Sequence, residues 1–255
     1  MFKEFFDQKK LITLDLDGTT VKSEKMWDAA FREVAALLSI DPITTGVCGN
    51  TVANRWEHII SDDGPKLDKS IEELVELTHN EFVKHLDKLE LTEGFWPFVA
   101  ELKLSKKLNL ALVTNTSRAV TDQVIAQLEL TEVFDFVICG NEVKNPKPNP
   151  EIYKKALAHF KLQPKEALAF EDSLTGCTSA AKAAIKIICV WDGETPQRKF
   201  PDEVLEFTKD FTPFPGELDT TYYEDILQMV KGRENQALDT EEKVNITSST
   251  VLKNL

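Results

Sequence analysis

The sequence predicts an α/β fold in which a doubly wound parallel sheet carries an inserted α-helical cap. From residue 94 onward, short continuous apolar runs alternate with helical periodicity, which is typical of parallel strands covered by helices on both faces. Between about residues 25 and 91 the periodicity is helical and strand signals are few, which indicates a helical insert. We therefore expect an α/β core of residues 1–20 and 92–230 and a cap of residues 21–91.

The predicted core consists of strands and helices that alternate through right-handed crossovers. Apolar runs predict strands at residues 11–16, 108–113, 136–139, 167–170 and 185–190. Helical periodicity predicts helices at residues 98–104, 117–128, 150–160 and 174–184. Pro150 lies near the first turn of the third helix, where a missing N–H is tolerated. The periodicity at residues 222–230 suggests a closing helix, and the polar residues 231–255 are expected to form a loosely held tail.

The predicted cap contains three helices, because apolar residues recur at spacings of three and four in three stretches. Asp41-Pro42 and residues 61–65 separate these stretches. The apolar positions are Trp27, Ala30, Phe31, Val34, Leu37 and Leu38, then Val52, Trp56, Ile59 and Ile60, then Ile71, Leu74, Val75, Leu77, Phe82, Val83 and Leu86. A lid of this kind, hinged at about residues 20–24 and 91–94, would exclude water and favour small substrates over polymers.

The composition narrows the possible partners and the location of the protein. The chain has 30 Lys and Arg residues against 43 Asp and Glu residues, which gives a net charge of −13 and disfavours nucleic acids and anionic membranes. No apolar run reaches the length of a membrane span, and the charged residues 1–10 do not fit a secretory signal. The four cysteines form no C-x-x-C pair, which is typical of free thiols in a reducing compartment. We therefore expect a cytoplasmic protein.

Four short motifs follow apolar runs and together predict one reaction centre. They are Asp15-Leu16-Asp17-Gly18-Thr19, Thr114-Asn115, Lys147-Pro148 and Glu171-Asp172. In an open parallel sheet the carboxyl ends of the strands meet at one crevice, so these motifs should converge there. Carboxylates for a hard cation, a lysine and a hydroxyl are the groups that phosphoryl transfer requires. The set therefore predicts a magnesium-dependent phosphoryl-transfer centre.

The acidic residues of these motifs indicate a magnesium site. Asp15 and Asp172 would supply carboxylates, and a backbone carbonyl near Asp17 would complete the ligands from the protein. Without a cation, the four acidic side chains of the motifs would repel one another. Each acid alone also fits an ordinary loop or cap residue, and Asp172 before Ser173 fits a helix N-cap.

The combined motifs resemble those of the haloacid dehalogenase superfamily of phosphohydrolases, in the branch with a helical cap after the first motif. Within this branch the chain is similar to the β-phosphoglucomutase-like phosphatases, over roughly residues 10–195. The resemblance implies that Asp15 is the nucleophile that becomes an aspartyl phosphate and that Asp17 is the general acid and base. Magnesium and Lys147 would then hold Asp15 ionised while the pKa of Asp17 is raised, so that the two aspartates titrate apart.

The same resemblance implies roles for the other motif residues. Thr114 would donate a hydrogen bond to the transferring phosphoryl group, with the backbone around Asn115 assisting. Lys147 would neutralise that group and the nucleophile, whereas Glu171 and Asp172 would anchor magnesium directly or through water. Considered singly, Thr114 also fits a strand-end hydroxyl, and Lys147 also fits a solvated loop lysine.

Two departures from the family pattern favour a hydrolase over a mutase. The mutase grips a second phosphate with an arginine of the cap loop, but the matching residues 46–50 include no base, and the mutase's histidine is replaced by Trp27.

Two further basic residues are candidate anion ligands. Many relatives have an acidic residue at the position of Lys22, so Lys22 either contacts a substrate anion or is simply exposed. Arg118 follows Thr114 closely enough to help bind an anion, although an ordinary surface arginine fits equally well.

The sequence thus predicts a phosphatase that uses magnesium and hydrolyses small phosphorylated metabolites, with sugar phosphates as one possibility. A phosphomutase is the alternative that shares the same chemistry. An alternative from another class is a non-catalytic protein that binds a phosphorylated metabolite. The intact nucleophile and metal ligands argue against the third interpretation, because a decayed relative would be expected to lose those residues first.

Overall fold

A six-stranded sheet, in which every pair of neighbouring strands is parallel, lies at the centre of the computed structural model, which describes residues 3–40, 51–60, 65–104 and 108–214. The strands are β1 (Leu11–Leu14), β2 (Asn109–Val113), β3 (Phe136–Ile138), β4 (Ala167–Glu171), β5 (Lys186–Val190) and β6 (Val204–Thr208). Their order is β3-β2-β1-β4-β5-β6. This order is that of a doubly wound sheet, so the predicted fold class is confirmed.

Eight α-helices are found among the described residues. They are α1 (Lys3–Phe6), α2 (Glu24–Leu37), α3 (Val52–Ile59), α4 (Ile71–Val83), α5 (Phe95–Leu104), α6 (Arg118–Gln127), α7 (Glu151–Phe160) and α8 (Leu174–Lys182). Within this part of the chain, every helix is too short or too polar to cross a lipid bilayer. Helices α5 and α6 pack on one face of the sheet, and α7 and α8 pack on the other.

The strands are apolar on both sides because both faces of the sheet are buried. In β1, Ile12 and Leu14 belong to the apolar cluster that contains α5 and α6, whereas Leu11 belongs to the cluster that contains α7 and α8. Side chains alternate between the two faces of a strand, so a sheet covered on both faces needs continuous apolar runs. This is why the sequence reveals its central strands clearly.

The chain changes direction across the sheet at β1. Leu14 pairs with Leu112 of β2 on one side and with Phe170 of β4 on the other. Strand order therefore reverses between β1 and β4, and the carboxyl ends of β1, β2 and β4 lie side by side. A crevice at such a position is where open α/β sheets bind their ligands.

Helices α2, α3 and α4 lie between β1 and β2 in the chain and share a separate apolar cluster of buried residues, Phe31, Val34, Trp56, Ile59 and Leu74. The indole of Trp56 donates to the Thr78 hydroxyl at 2.7 Å, which satisfies a polar group inside that cluster. The two connections to the core pair with each other, because Val21 and Leu91 form an antiparallel bridge. This bridge lies where the cap was expected to begin and end.

Some elements differ from the sequence prediction. Strand β6 was not predicted, because this edge strand is partly exposed and lacks the continuous apolar run of the others. Helix α5 begins three residues earlier than expected, since Pro97 lies in its first turn, where proline needs no hydrogen-bonded N–H. The four-residue helix α1 is too short to show periodicity. The expected helix at 222–230 and the tail at 231–255 lie outside the described residues.

An aromatic cluster closes one face of the sheet near the end of the described chain. The ring centroid of Phe98 lies 5.0 Å from that of Phe170 and 4.9 Å from that of Phe211. All three side chains are almost completely buried, so the segment after β6 is tied to α5 and β4 by aromatic contact.

Replacement of Phe98 by alanine is expected to lower the free energy of unfolding by about 3–5 kcal/mol, because it removes a buried ring and leaves a cavity. Urea denaturation followed by circular dichroism measures the change. The matched control is Leu37→Ala, at a side chain that is 65% exposed, and this change should remain within about 0.5 kcal/mol of the wild type. Equal effects of the two substitutions would contradict the assigned core.

Candidate active site

The four sequence motifs converge at the carboxyl ends of three adjacent strands. Asp15 follows β1, Thr114 follows β2, and Glu171 is the last residue of β4. Lys147 reaches the same place from the loop between β3 and α7, and Asn115 holds that loop: its side chain accepts from the Lys147 N–H at 2.9 Å and donates to the Lys147 carbonyl at 3.1 Å. The convergence that the sequence predicted is therefore present.

Lys147 is a buried ammonium group with three partners. Its Nζ donates to Asp15 Oδ1 at 2.5 Å, to Glu171 Oε1 at 2.6 Å and to the Val113 carbonyl at 2.7 Å. Only 2% of the side chain is exposed. An ammonium has three N–H groups, so all of the hydrogen-bonding capacity of Lys147 is used.

The charges in this cluster depend on one another. Burial disfavours the charged form of Lys147. The negative charges of Asp15 and Glu171 have the larger effect and raise the pKa of Lys147, so the lysine stays cationic. Burial also raises the pKa of Asp15 well above its usual range, against the opposing effect of Lys147. The positive charge of Lys147 thus acts against the effect of burial on Asp15, and a second cation nearby would favour the ionised form further.

Glu171 is completely buried, and its carboxylate accepts hydrogen bonds from two side chains and packs against α8. Its Oε1 accepts from Lys147 and from the Tyr153 hydroxyl of α7, whereas its Oε2 has no hydrogen-bond partner among the described residues. A Cβ at Gly176 would collide with this carboxylate, so glycine at that position lets α8 approach it. Sequence reasoning missed Tyr153, because its position in an apolar helical stretch fits a core residue.

Asp172 is not the N-cap of α8. That role belongs to Ser173, whose hydroxyl accepts from the Gly176 N–H at 3.0 Å. Asp172 Oδ1 is buried without a hydrogen-bond partner among the described residues, and burial, followed by the nearby charge of Asp15, raises the pKa of Asp172 well above its usual range. Gly18, at a φ of +79°, leaves room for this carboxylate, because a Cβ there would overlap it.

These carboxylates fit a divalent metal ion. Oxygen atoms of Asp15, Glu171 and Asp172 lie within 4.8 Å of one another. Two of the three residues have a buried oxygen without a hydrogen-bond partner among the described residues, and such atoms are normally satisfied by hydrogen bonds or by a cation. Hard divalent cations prefer carboxylate oxygens. The cluster can therefore hold such an ion.

Asp17 is hydrogen-bonded to residues at the start of the cap and to Thr116 in the loop after β2. Its Oδ1 accepts from the Ser23 hydroxyl at 2.6 Å and from the Trp27 indole N–H at 2.7 Å. Its Oδ2 accepts from the Thr116 hydroxyl at 2.5 Å. These donors were not predicted. The sequence held one hint of them, because Ser23 and Trp27 lie shortly after the first motif, at the N-cap and in the first turn of α2. The two acids of that motif thus occupy distinct surroundings, as expected for distinct roles.

The family of the chain follows from comparison with known proteins. The family model described as haloacid dehalogenase-like hydrolase matches residues 12–190, which include all four motifs and the cap helices. The chain is a haloacid dehalogenase-like hydrolase. The resemblance inferred from the motifs is therefore confirmed.

Individual relatives of this hydrolase agree with that assignment. The protein CbbY of Rhodobacter capsulatus is 32% identical over 196 residues, which cover 70% of this chain and 84% of the relative. A phosphorylated carbohydrates phosphatase of Thermotoga maritima is 28% identical over 180 residues, covering 69% of this chain and 82% of the relative. The crystal structure of CbbY from Rhodobacter sphaeroides in complex with phosphate has a similar fold, with a TM-score of 0.73, 24% identity and coverage of 82% and 97%.

A cavity of about 400 Å³ lies between the core and the cap of this hydrolase. Asp15, Asp17, Thr114, Lys147 and Asp172 line its floor, and residues of α2, α3 and α4 line the opposite wall. Thr114 is nearly fully buried; its hydroxyl accepts from the Thr116 N–H at 3.0 Å and keeps its proton available for donation. The cavity thus encloses the groups that the motifs supply.

Two basic residues proposed from the sequence as anion ligands do not line this cavity. Lys22 is exposed on the connection to the cap, where its backbone N–H donates to the Glu90 carbonyl. Arg118 donates to the Val137 carbonyl at 2.8 Å and to Glu142 at 2.7 Å. The geometry therefore gives neither residue a contact with the cavity.

Replacement of Lys147 by methionine is expected to lower the free energy of unfolding by about 3–5 kcal/mol, because it leaves Asp15 and Glu171 buried without their cation. Guanidinium denaturation without added metal measures this loss. The matched control is Lys155→Met on α7, whose side chain is 48% exposed and should contribute less than about 1 kcal/mol. Similar losses for both variants would show that the buried lysine does not organise the site.

Proposed function

We propose that the protein is a magnesium-dependent phosphatase of small phosphorylated carbohydrates that works through an aspartyl phosphate on Asp15. The observation that supports this most directly is the enclosed cluster of Asp15, Lys147 and Asp172 beneath a capped cavity. Membership of the hydrolase family and the activity named for the relative from Thermotoga maritima support the reaction and the substrate class. Phosphoryl transfer depends on positioning and charge neutralisation, which this cluster offers.

Asp15 is the nucleophile of the proposed reaction. One of its carboxylate oxygens attacks phosphorus, and the bond to the leaving oxygen breaks. The covalent step divides one difficult displacement into two easier ones. Lys147 orients Asp15 by donating a hydrogen bond to its Oδ1. Because all three N–H groups of Lys147 are already used, it stabilises the phosphoryl group by electrostatic attraction and not by a hydrogen bond.

Asp15, Glu171 and Asp172, with the backbone carbonyl of Asp17, would hold magnesium. A bound magnesium ion supplies positive charge that neutralises the carboxylates and the transferring phosphoryl oxygens. The raised pKa values of Asp15 and Asp172 support this assignment, since burial without a second cation disfavours their ionised forms. The Thr114 hydroxyl donates to a phosphoryl oxygen and fixes its orientation.

Asp17 is the general acid and base of the proposed reaction. In the first half, its carboxyl proton goes to the leaving oxygen, so that a neutral alcohol departs. In the second half, Asp17 takes a proton from water as that water attacks phosphorus, which releases inorganic phosphate and restores Asp15. Ser23, Trp27 and Thr116 hold the Asp17 carboxyl group toward the cap, where the leaving group would lie.

Hydrolysis is favoured over the mutase and binding-protein alternatives. The cap residues 46–50 include no base for a second phosphate, and Trp27 stands where the mutase has histidine. Trp27 donates to the proposed acid, which gives that difference a physical consequence. A protein that only bound its ligand would not need a buried nucleophile with a lysine partner and a separately oriented acid.

The Asp15→Asn variant tests the proposed function. It should release inorganic phosphate from hexose and hexitol phosphates at least about a thousandfold more slowly than the wild type, because an amide is a poor nucleophile. Wild-type release should require added magnesium and disappear with a chelator. The matched control is Asp202→Asn on the exposed surface, which should keep full activity. Equal activity of Asp15→Asn and the wild type would sink the assignment of the nucleophile.

The Trp27→Phe variant tests the positioning of Asp17. The indole N–H orients a carboxyl group that is protonated when it acts as the acid, and an ordinary hydrogen bond of this kind is worth about 0.5–1.5 kcal/mol, so kcat/KM for an alkyl phosphate should fall about 3- to 10-fold. The value for p-nitrophenyl phosphate should fall much less, because its leaving group needs little help from an acid. Trp191→Phe removes a comparable indole bond outside the cavity and should change neither value. Equal losses for both substrates would refute the positioning role.

A further inference from the structure

The wall of the cavity that faces the catalytic residues belongs to the cap. The cap residues that line it include Trp27, Asp28, Phe31, Asn54, Arg55 and Val75. A phosphate ester that presents phosphorus to Asp15 must extend its leaving group toward this wall. The chemistry of the wall therefore selects the leaving group.

Arg55 is a basic residue of this wall whose charge is already neutralised. Its Nη2 donates to Asp28 Oδ1 at 2.9 Å, and its guanidinium carbon lies 3.8 Å from the centroid of the Phe31 ring. The Arg55 side chain is 12% exposed, whereas that of Asp28 is 54% exposed. The acidic member of the pair is therefore the more accessible one to an incoming ligand.

The other basic groups of the cavity do not supply a second anion site. Lys147 gives all three of its N–H groups to the partners described above. Burial lowers the pKa of His79, which favours its neutral form. The cap segments that the structure does not describe, residues 41–50 and 61–64, have no Lys, Arg or His in their sequence.

Carboxyl groups dominate the space around the leaving group. Asp17, Glu24 and Asp28 all line it, and Arg55 is the base that opposes them within the described cap wall. Magnesium and Lys147 would balance the metal cluster and the phosphoryl group that reacts. A second phosphate or a carboxylate would meet the like charge of Asp28 there, and because Asp28 is about half exposed, the repulsion should be moderate and should weaken as salt is added.

The same wall suits hydroxyl groups. The Asp28 carboxylate can accept hydrogen bonds from hydroxyls, and the Asn54 amide can both accept and donate them. Trp27, Phe31 and Val75 add apolar surface against which the C–H faces of a carbohydrate chain can pack. The cap thus offers polar and apolar contacts without a net positive charge.

We propose that the Asp28–Arg55 pair makes this enzyme selective for monophosphates whose leaving group is an uncharged, hydroxyl-bearing chain, and that it rejects bisphosphates and phosphorylated acids. The proposal rests on the phosphatase function proposed above. It assigns Asp28 as the determinant of charge selection, because that residue cancels the positive charge of Arg55.

Three compounds with the same six-carbon chain test the proposal, since they differ only at the end remote from the reacting phosphate. They are a hexitol monophosphate, the hexonate monophosphate with a terminal carboxylate, and the hexitol bisphosphate. With magnesium present, the wild type should show kcat/KM at least about tenfold higher for the hexitol monophosphate than for either anionic compound.

Two variants assign the selectivity to Asp28. Asp28→Asn leaves Arg55 uncompensated and should reduce the preference for the monophosphate at least about fivefold, through faster reaction of the anionic compounds. Glu57→Gln removes the same charge from the exposed face of α3, outside the cavity, and should leave the preference unchanged. A wild type that prefers either anionic compound, or an Asp28→Asn variant with unchanged preference, would overturn the proposal.

Binding to the Asp15→Asn protein separates this proposal from the proposed function. Calorimetry with magnesium should give the tightest binding for the hexitol monophosphate, and the addition of Asp28→Asn should improve binding of the bisphosphate. If the wild type releases no phosphate from any of the three compounds, the phosphatase assignment fails, but the order of binding still decides charge selection. Tightest binding of the bisphosphate, or no binding of any of them, would overturn the inference.

Discussion

The structure of the site depends on one buried ammonium group, that of Lys147. It lies between Asp15 and Glu171 at hydrogen-bond distance from both and also donates to the backbone of β2. Three strands and the loop after β3 are therefore held together by one cation. Because unpaired buried charges are strongly unfavourable, the loop has to bring Lys147 here once the sheet has buried the two carboxylates. The fold and the reaction centre share this constraint.

The same cluster explains why the acidic residues of the site fall into two groups. All three N–H groups of Lys147 are used, and the carboxylates of Asp15, Glu171 and Asp172 lie close enough together to hold a divalent cation. Two of these residues have a buried oxygen without a hydrogen-bond partner in the part of the chain that the structure describes. Asp17 belongs to the same motif as Asp15, yet its carboxyl group is bonded to residues at the start of the cap. The two aspartates of one short motif thus have different surroundings, one in the acidic cluster and the other at the start of the cap.

Much of this could be predicted from the sequence, because the relevant signals are local. A strand buried on both faces needs a continuous apolar run, and the runs at β1, β2, β4 and β5 are of that kind. The four motifs follow strand ends or lie in the next loop, and parallel strands bring their carboxyl ends to one edge. Strand β6 escaped prediction because an edge strand lacks this pattern, and the start of α5 was misjudged because proline is compatible with a first turn.

The sequence by itself determined the fold class, the acidic motif and the identity of the buried lysine, because periodicity and residue type are local properties that can be seen in the sequence directly. Only the tertiary structure decided which groups meet. It joined Tyr153 to Glu171, Trp27 to Asp17 and Arg55 to Asp28, across separations of 18, 10 and 27 residues. It also showed that Arg118 pairs with Glu142 and does not line the cavity. Such contacts depend on the packing of whole elements, and residue type alone does not specify them.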